Sequence, residues 1–162
     1  MENVIMTRRL LFVCMGNICR SPAAEGVFLH LAREKGVEDH FHVDSAGTGG
    51  WHAGNPPDHR SVFEGRRRGI HLPGTARQVV DSDWEDFDLI ICMDTENHVN
   101  LIRAGAPEEK VRKLLEWHPE EHHEDVPDPY YGGDDGFVHM YDLIEAACEH
   151  LLADLHDHSD ER

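Results

Sequence analysis

The sequence predicts an α/β fold in which parallel strands alternate with helices. Three observations carry this. Two short runs, LLFVC over 10–14 and LIICM over 89–93, are apolar throughout, as strands covered on both faces are. Each is followed within a few residues by a helix-start signal, Ser21-Pro22 after the first and Asp94-Thr95 after the second. Apolar stripes at three- and four-residue spacing, the helical period, occupy the stretches between. Strands separated by helices pair in parallel through right-handed crossovers.

In chain order, residues 10–14 form the first strand. Ser21 is the expected N-cap and Pro22 the first helical residue. Ala24, Val27, Phe28 and Leu31 then recur on one face until Gly36 ends the helix. FHVDS, residues 41–45, reads as a second strand, and the glycine- and proline-rich stretch 47–57 as a loop. A third unit spans 58–69, basic at its end in Arg66, Arg67 and Arg68 and closed by Gly69. Residues 89–93 are the next strand. The helix opened by Asp94-Thr95 carries Val99, Leu101 and Ile102 and ends at Gly105. Residues 111–115 make a weaker, charged strand. Val138, Tyr141, Ile144, Cys148, Leu151 and Leu155 form the last helical stripe. Ligands of open parallel sheets bind at the carboxyl ends of the strands. Cys14 closes one apolar strand and Asp94 follows another, so both point to the same rim.

The 162 residues suit one compact domain over 1–162, with a short extension over 1–8 and a polar tail over 156–162. A hydrophobic content of 40% is enough for a packed core. The net charge of -17 argues against non-specific binding to nucleic acid or anionic membrane, which needs a basic face. Against such a background a positive pocket would stand out as an anion site. The four cysteines, at 14, 19, 92 and 148, lack paired zinc spacing, and a chain of this size needs no stapling. A reducing, cytoplasmic setting is expected. The first apolar run is too short for a signal segment, and no stretch is long enough to span a membrane.

The chemistry concentrates in VCMGNICRSP, residues 13–22. From Cys14 the pattern is Cys-x5-Arg-Ser: a strand end, a tight loop through Met15, Gly16, Asn17, Ile18 and Cys19, then a helix start. Successive N–H groups in such a loop converge on an anion, and the helix dipole adds positive potential. Gly16 permits unusual backbone angles and Asn17 tolerates a left-handed one. Arg20 supplies a planar fork for phosphate oxygens. A thiolate beside bound phosphate is a nucleophile for phosphoryl transfer, and donors that hold the phosphate also stabilise the flattening transition state. Departure of an alkoxide needs a proton donor in a loop over the pocket. DPYYGGDDG, residues 128–136, supplies Asp128, stiffened by Pro129 and followed by Tyr130 and Tyr131.

These residues resemble the low-molecular-weight protein tyrosine phosphatases from about Arg9 to Leu155. The resemblance rests on VCMGNICRSP, DSAGTGGWHAGNPPD, GIHLPGTARQ, LIICMDTEN and DPYY, in that order and spacing. It implies a three-layer α/β/α sandwich around a central, mainly four-stranded parallel sheet, and hydrolysis of phosphotyrosine in proteins without metal or cofactor. A monomer is the favoured form. By resemblance, Cys14 is the nucleophile, Arg20 the phosphate clamp and Asp128 the general acid and later base. Residues 15–20 bind phosphate. Ser21 assists release of the Cys14 sulfur, and Asn17 and Ser45 hold the loop. Ile18, Trp51, His52, Tyr130 and Tyr131 shape the substrate pocket, and Cys19 pairs with Cys14 under oxidation.

Ile18 is informative, because the related protein-arginine phosphatases carry threonine there. Gly74 stands where many relatives have a histidine that bonds to the loop network, and His71 lies nearby. His118, His122 and His123 in HPEEHHED invite a metal reading, but Pro119 spoils helical presentation and a solvated loop is expected. Three other readings remain. A protein-arginine phosphatase and a thiol-dependent arsenate reductase share the fold, the latter needing a resolving cysteine from Cys92 or Cys148. A phosphopeptide-binding module without turnover would have no use for both Cys14 and Asp128.

Overall fold

The computed structural model describes residues 7–122, 124–130 and 133–160. Four strands, β1 (Arg8–Cys14), β2 (Phe41–Gly47), β3 (Leu89–Cys92) and β4 (Val111–Lys113), form one sheet in the order β2-β1-β3-β4. All three pairings are parallel. Five helices pack around it: α1 (Arg20–Glu34), α2 (His59–Arg67), α3 (Asp83–Asp86), α4 (Thr95–Arg103) and α5 (Asp134–Asp160). This is the expected three-layer sandwich. None of the described helices is long and apolar enough to cross a membrane.

The central strand shows why an unbroken apolar run was needed. Leu10, Phe12 and Cys14 join a cluster with Val27 and Phe28 of α1 and Tyr141, Ile144 and Leu151 of α5. Leu11 and Val13 point to the opposite face and join Leu101 of α4. Side chains alternate along a strand, so a strand covered on both faces must be apolar at every position. Phe28 packs edge-on against Phe41 at 5.0 Å between ring centroids, an arrangement aromatic quadrupoles favour.

Of the two helix starts predicted from capping signals, one holds and one departs from expectation. α4 begins as predicted: Asp94 caps it, accepting from Asn97 N at 2.7 Å. α1 begins at Arg20, two residues earlier than the expected Pro22, and its N-cap is Cys19 without a side-chain bond. Ser21 is buried inside the first turn because its hydroxyl is committed to Cys14. Pro22 is still tolerated, since first-turn N–H groups have no intrahelical acceptor. Val99, expected in a helical core stripe, is exposed, whereas Leu101 is fully buried. β4 ends at Lys113, after which Leu114–Trp117 tighten into a 3-10 turn. The short α3 carries no sequence signal of comparable strength.

β1 leads through α1 to β2 on one side, whereas β3 leads through α4 to β4 on the other. The loops after β1 and β3 therefore diverge and leave a crevice between adjacent strand ends, where open α/β sheets bind ligands.

Candidate active site

The loop after β1 wraps around the Cys14 sulfur. Asn17 N–H donates to Cys14 Sγ at 3.2 Å, and Ser21 Oγ lies 3.1 Å from it. Asn17 takes the left-handed conformation, φ 58°, as its residue type allows. Gly16 is not at positive φ. Glycine is needed there because a Cβ would come within 2.9 Å of the His52 ring. Gly47, at the end of β2, is equally constrained: its Cβ would meet the Met15 carbonyl at 2.7 Å. The N–H groups of Met15, Gly16, Ile18 and Cys19 find no acceptor among the described residues, so they remain available to an anion in the loop.

Asn17 also fixes the polarity of the network beneath the loop. Its Oδ1 accepts from Arg77 N at 2.9 Å, and its Nδ2 donates to Ser21 Oγ at 2.8 Å and to Ser45 Oγ at 3.0 Å. Both serine oxygens are acceptors there, which leaves each one proton. Ser45 gives its proton to Glu25 Oε1 at 2.6 Å. The Ser21 hydroxyl has two acceptors in reach for that proton, the Cys14 sulfur at 3.1 Å and the Ala46 carbonyl at 3.4 Å. Gly74 is exposed, with open space around it, and makes no part of this network; exposed His71 does not replace the missing histidine. Glu25 and the Arg77 backbone complete the support instead. Arg77 is in turn tied to Asp44 and Asp83, each at 3.0 Å.

Glu25 is buried, and that burial, reinforced by Asp44 and opposed by the Ser45 hydrogen bond and Arg77, raises its pKa to about 7. A carboxyl raised on folding stabilises the fold below its unfolded pKa, and that contribution is lost as pH rises through 7. Glu25→Gln, which keeps the acceptor for Ser45, should therefore match the wild type near pH 4 and exceed it in stability by about 3 kcal/mol at pH 8. Urea melts at the two pH values check this; an equal difference at both would remove Glu25 titration as the cause.

Arg20 lies at the crevice between β1 and β3. Its Nη1 donates to Asp94 Oδ2 at 2.6 Å and to the Val126 carbonyl at 3.0 Å, and its side chain is 3% exposed. Val126 N is itself bonded to the Met93 carbonyl at 2.8 Å. Arg20 thus joins the ends of β1 and β3 to the segment carrying Asp128. Burial opposes its charge, but Cys14, Asp94 and Asp128 outweigh this and hold the guanidinium proton more tightly than usual. Asp128 Oδ2 stands 3.7 Å from Arg20 Nη2. Its Oδ1 accepts from Tyr130 N at 3.1 Å, an Asx-type turn that orients the carboxyl. The Asp128 side chain is 33% exposed, open to an incoming substrate.

Together Cys14, Met15, Gly16, Ile18, Cys19, Arg20, His52, Asp128 and Tyr130 line a cavity of about 50 Å³. This is a few times the space one water needs and suits a small polyatomic anion. The His52 and Tyr130 rings face each other at 6.0 Å and frame the entrance. Trp51 is not brought into this lining. It is 73% exposed, and its ring lies over Gly49, where a Cβ would collide with it. Tyr131 lies outside the described residues. Burial, then Asp58 and Cys14, push the Cys19 thiol well above its usual pKa. Cys92 and Cys148 are fully buried in β3 and α5, away from the cavity. His118 Nδ1 accepts from the N–H groups of Glu120 and Glu121, and the described residues hold no cluster able to bind a metal; His123 lies outside them.

Three features lay beyond the sequence reading: Asp94 as the partner of Arg20, Glu25 beneath the loop, and Arg60 behind Tyr130. Asp94 had a visible signal in its strand-end position. Glu25 had none, because a carboxylate on a helix ordinarily faces water.

Several known proteins resemble this chain over most of its length. The family model described as low molecular weight phosphotyrosine protein phosphatase matches residues 9–161. A low molecular weight protein-tyrosine-phosphatase of Bacillus subtilis is 47% identical over 150 residues, covering 90% of this chain and 94% of that protein. The human low molecular weight phosphotyrosine protein phosphatase is 38% identical over 154 residues, 93% of this chain and 97% of that one. Among solved structures, a protein tyrosine phosphatase from Entamoeba histolytica with Hepes in its active site superposes with a TM-score of 0.89 at 39% identity. That match covers 93% of this chain and 98% of the other. A Drosophila arginine phosphatase superposes with a TM-score of 0.83 at 32% identity, over 90% and 96% of the two chains.

Proposed function

The chain belongs to the low molecular weight phosphotyrosine protein phosphatase family, and from this we propose that it hydrolyses phosphotyrosine in proteins through a cysteinyl-phosphate intermediate. One observation carries the reading: Cys14 Sγ, Arg20 and Asp128 border a single anion-sized cavity, with Asp128 3.7 Å from Arg20. The Arg20 fork and the unbonded loop N–H groups hold the phosphoryl oxygens. Cys14 Sγ bonds to phosphorus as the bond from phosphorus to the phenolic oxygen breaks, and Asp128 gives its proton to that oxygen. Asp128, now a carboxylate, takes a proton from water, whose oxygen bonds to phosphorus. The sulfur–phosphorus bond then breaks and its electron pair returns to Cys14. The Ser21 hydroxyl, 3.1 Å from Sγ, stabilises the departing sulfur. Cys19 shares the cavity and is the candidate partner for an oxidised Cys14.

Ile18 and the His52–Tyr130 pair favour an aryl ring above the phosphate, since apolar and aromatic faces reward a phenyl group. The arsenate-reductase reading has less support, because neither Cys92 nor Cys148 borders the cavity. Phosphotyrosine, phosphoarginine and phosphoserine peptides of one sequence test the substrate class. The expected kcat/KM for phosphotyrosine exceeds that for phosphoserine by at least about 100-fold, the discrimination a shaped pocket provides. Preference for phosphoarginine would transfer the chain to the other chemistry of this fold.

A further inference from the structure

A second concave surface begins where the Tyr130 wall ends. It is a groove of about 840 Å³ between α2 and the start of α5. Arg60 links the groove to the cavity wall at Tyr130. It lines the groove, donates to the Tyr130 carbonyl at 3.0 Å, and lies over the rings of Tyr130 at 5.6 Å and Phe137 at 4.8 Å. Asp58 holds Arg60 from behind, and Asp58 N is bonded to the carbonyl of Ile18 in the phosphate loop at 2.8 Å. The wall of the groove is therefore tied by hydrogen bonds to two residues of the cavity, Tyr130 and Ile18.

Its helical wall has an unusual composition. His59, Phe63, Arg66 and Arg67 fall at i, i+4, i+7 and i+8 and share one face of α2. Phe63 is 67% exposed, a large apolar ring on a solvent face. Arg67 is bonded to Glu64, and Arg68 is taken up by Glu64, Asp142 and Glu145. Arg66 has no carboxylate within ion-pair distance among the described residues. Of the lining carboxylates, Glu64 is neutralised by these arginines, which leaves Asp135. A cationic stripe around an exposed ring is thus set into a chain of net charge -17, whose remaining surface repels acidic polypeptides.

We propose that this groove is a docking surface for the phosphoprotein substrate, binding an acidic segment with an apolar side chain close to the phosphotyrosine. The inference rests on the phosphotyrosine reading above. Arg60 to Arg67 covers about 10 Å along the helix, the reach of about three extended residues. The recognised carboxylates therefore lie about three to five residues from the phosphotyrosine. The apolar side chain covers Phe63, and the carboxylates meet Arg66 and Arg67.

The test compares phosphotyrosine peptides carrying Asp and Leu on either flank with matched Asn and Ser peptides, and includes p-nitrophenyl phosphate, which is too small to reach the groove. Wild type should favour the acidic peptides about 3- to 10-fold in kcat/KM, through KM and less so at high salt, the scale of exposed charge pairs. The variant Arg66→Glu with Phe63→Ser, which leaves every ion pair of α2 intact, should lose that preference while hydrolysing p-nitrophenyl phosphate as before. Equal turnover of both peptide sets by wild type, or an undiminished preference in the variant, overturns the docking surface alone. No turnover of either the aryl phosphate or the peptides overturns the phosphatase reading and the docking surface with it.

Discussion

Cys14→Ser should lose hydrolysis of p-nitrophenyl phosphate by about 10⁵-fold or more, the scale seen when a covalent nucleophile is removed, while still binding inorganic phosphate. The physical reason is a separation of tasks within the loop. In the proposed mechanism the sulfur forms the bond to phosphorus, whereas Arg20 and the loop N–H groups hold the oxygens. A serine hydroxyl is a much weaker nucleophile and sits on a shorter bond. Its replacement of the sulfur changes the acceptor of the Asn17 N–H but leaves the Asn17 side chain, Ser45 and Arg77 where they are, because those hydrogen bonds run among themselves and to Ser21 and Glu25. A serine hydroxyl stays neutral beside the bound anion, so phosphate should bind as tightly as to wild type or more so. Calorimetry with inorganic phosphate alongside steady-state assays measures both. Turnover surviving in the variant would sink the cysteinyl-phosphate route; loss of phosphate binding together with turnover would mean that the sulfur is needed to shape the loop.

The second large effect belongs to Asp128. Asp128→Ala should reduce kcat/KM for phenyl phosphate by about 10²- to 10³-fold, within the usual range for a general acid. For p-nitrophenyl phosphate, whose leaving group departs readily without a proton, the loss should be about tenfold or less. The ratio kcat/KM is the useful quantity, since it reports steps through departure of the leaving group and is blind to later hydrolysis of the intermediate. Asp128 is part-exposed and its contacts are local, the Tyr130 N–H and the facing Arg20, so the variant should fold. A loss that is the same for both esters would take the proton-donor role away from Asp128 and leave it an electrostatic partner of Arg20.

Much of the fold was legible because burial on two faces leaves a plain mark. Continuous apolar runs located β1 and β3, and Asp94-Thr95 located the start of α4 to the residue. The Ser21-Pro22 start was misplaced by two positions for a reason tied to function: the hydroxyl that would have capped the helix faces sulfur instead. Trp51 was expected at the pocket because aromatic residues suit its walls, yet a loop side chain has several places to lie, and here it covers Gly49. Position along a loop does not determine direction.

The sequence by itself determined the phosphate loop, because strand end, Asn17, Arg20 and Ser21 are neighbours in the chain and their spacing is their geometry. It also pointed to Asp128 as a candidate proton donor, since departure of an alkoxide calls for one. Only the tertiary structure decided what stands around that loop. Arg20 meets Asp94 across 74 positions and Val126 across 106, and Ser45 passes the Asn17 bond to a buried Glu25. Such contacts arise where the strand order reverses between β1 and β3, bringing distant strand ends side by side. No local periodicity records which carboxylate will be enclosed there and which will remain in water.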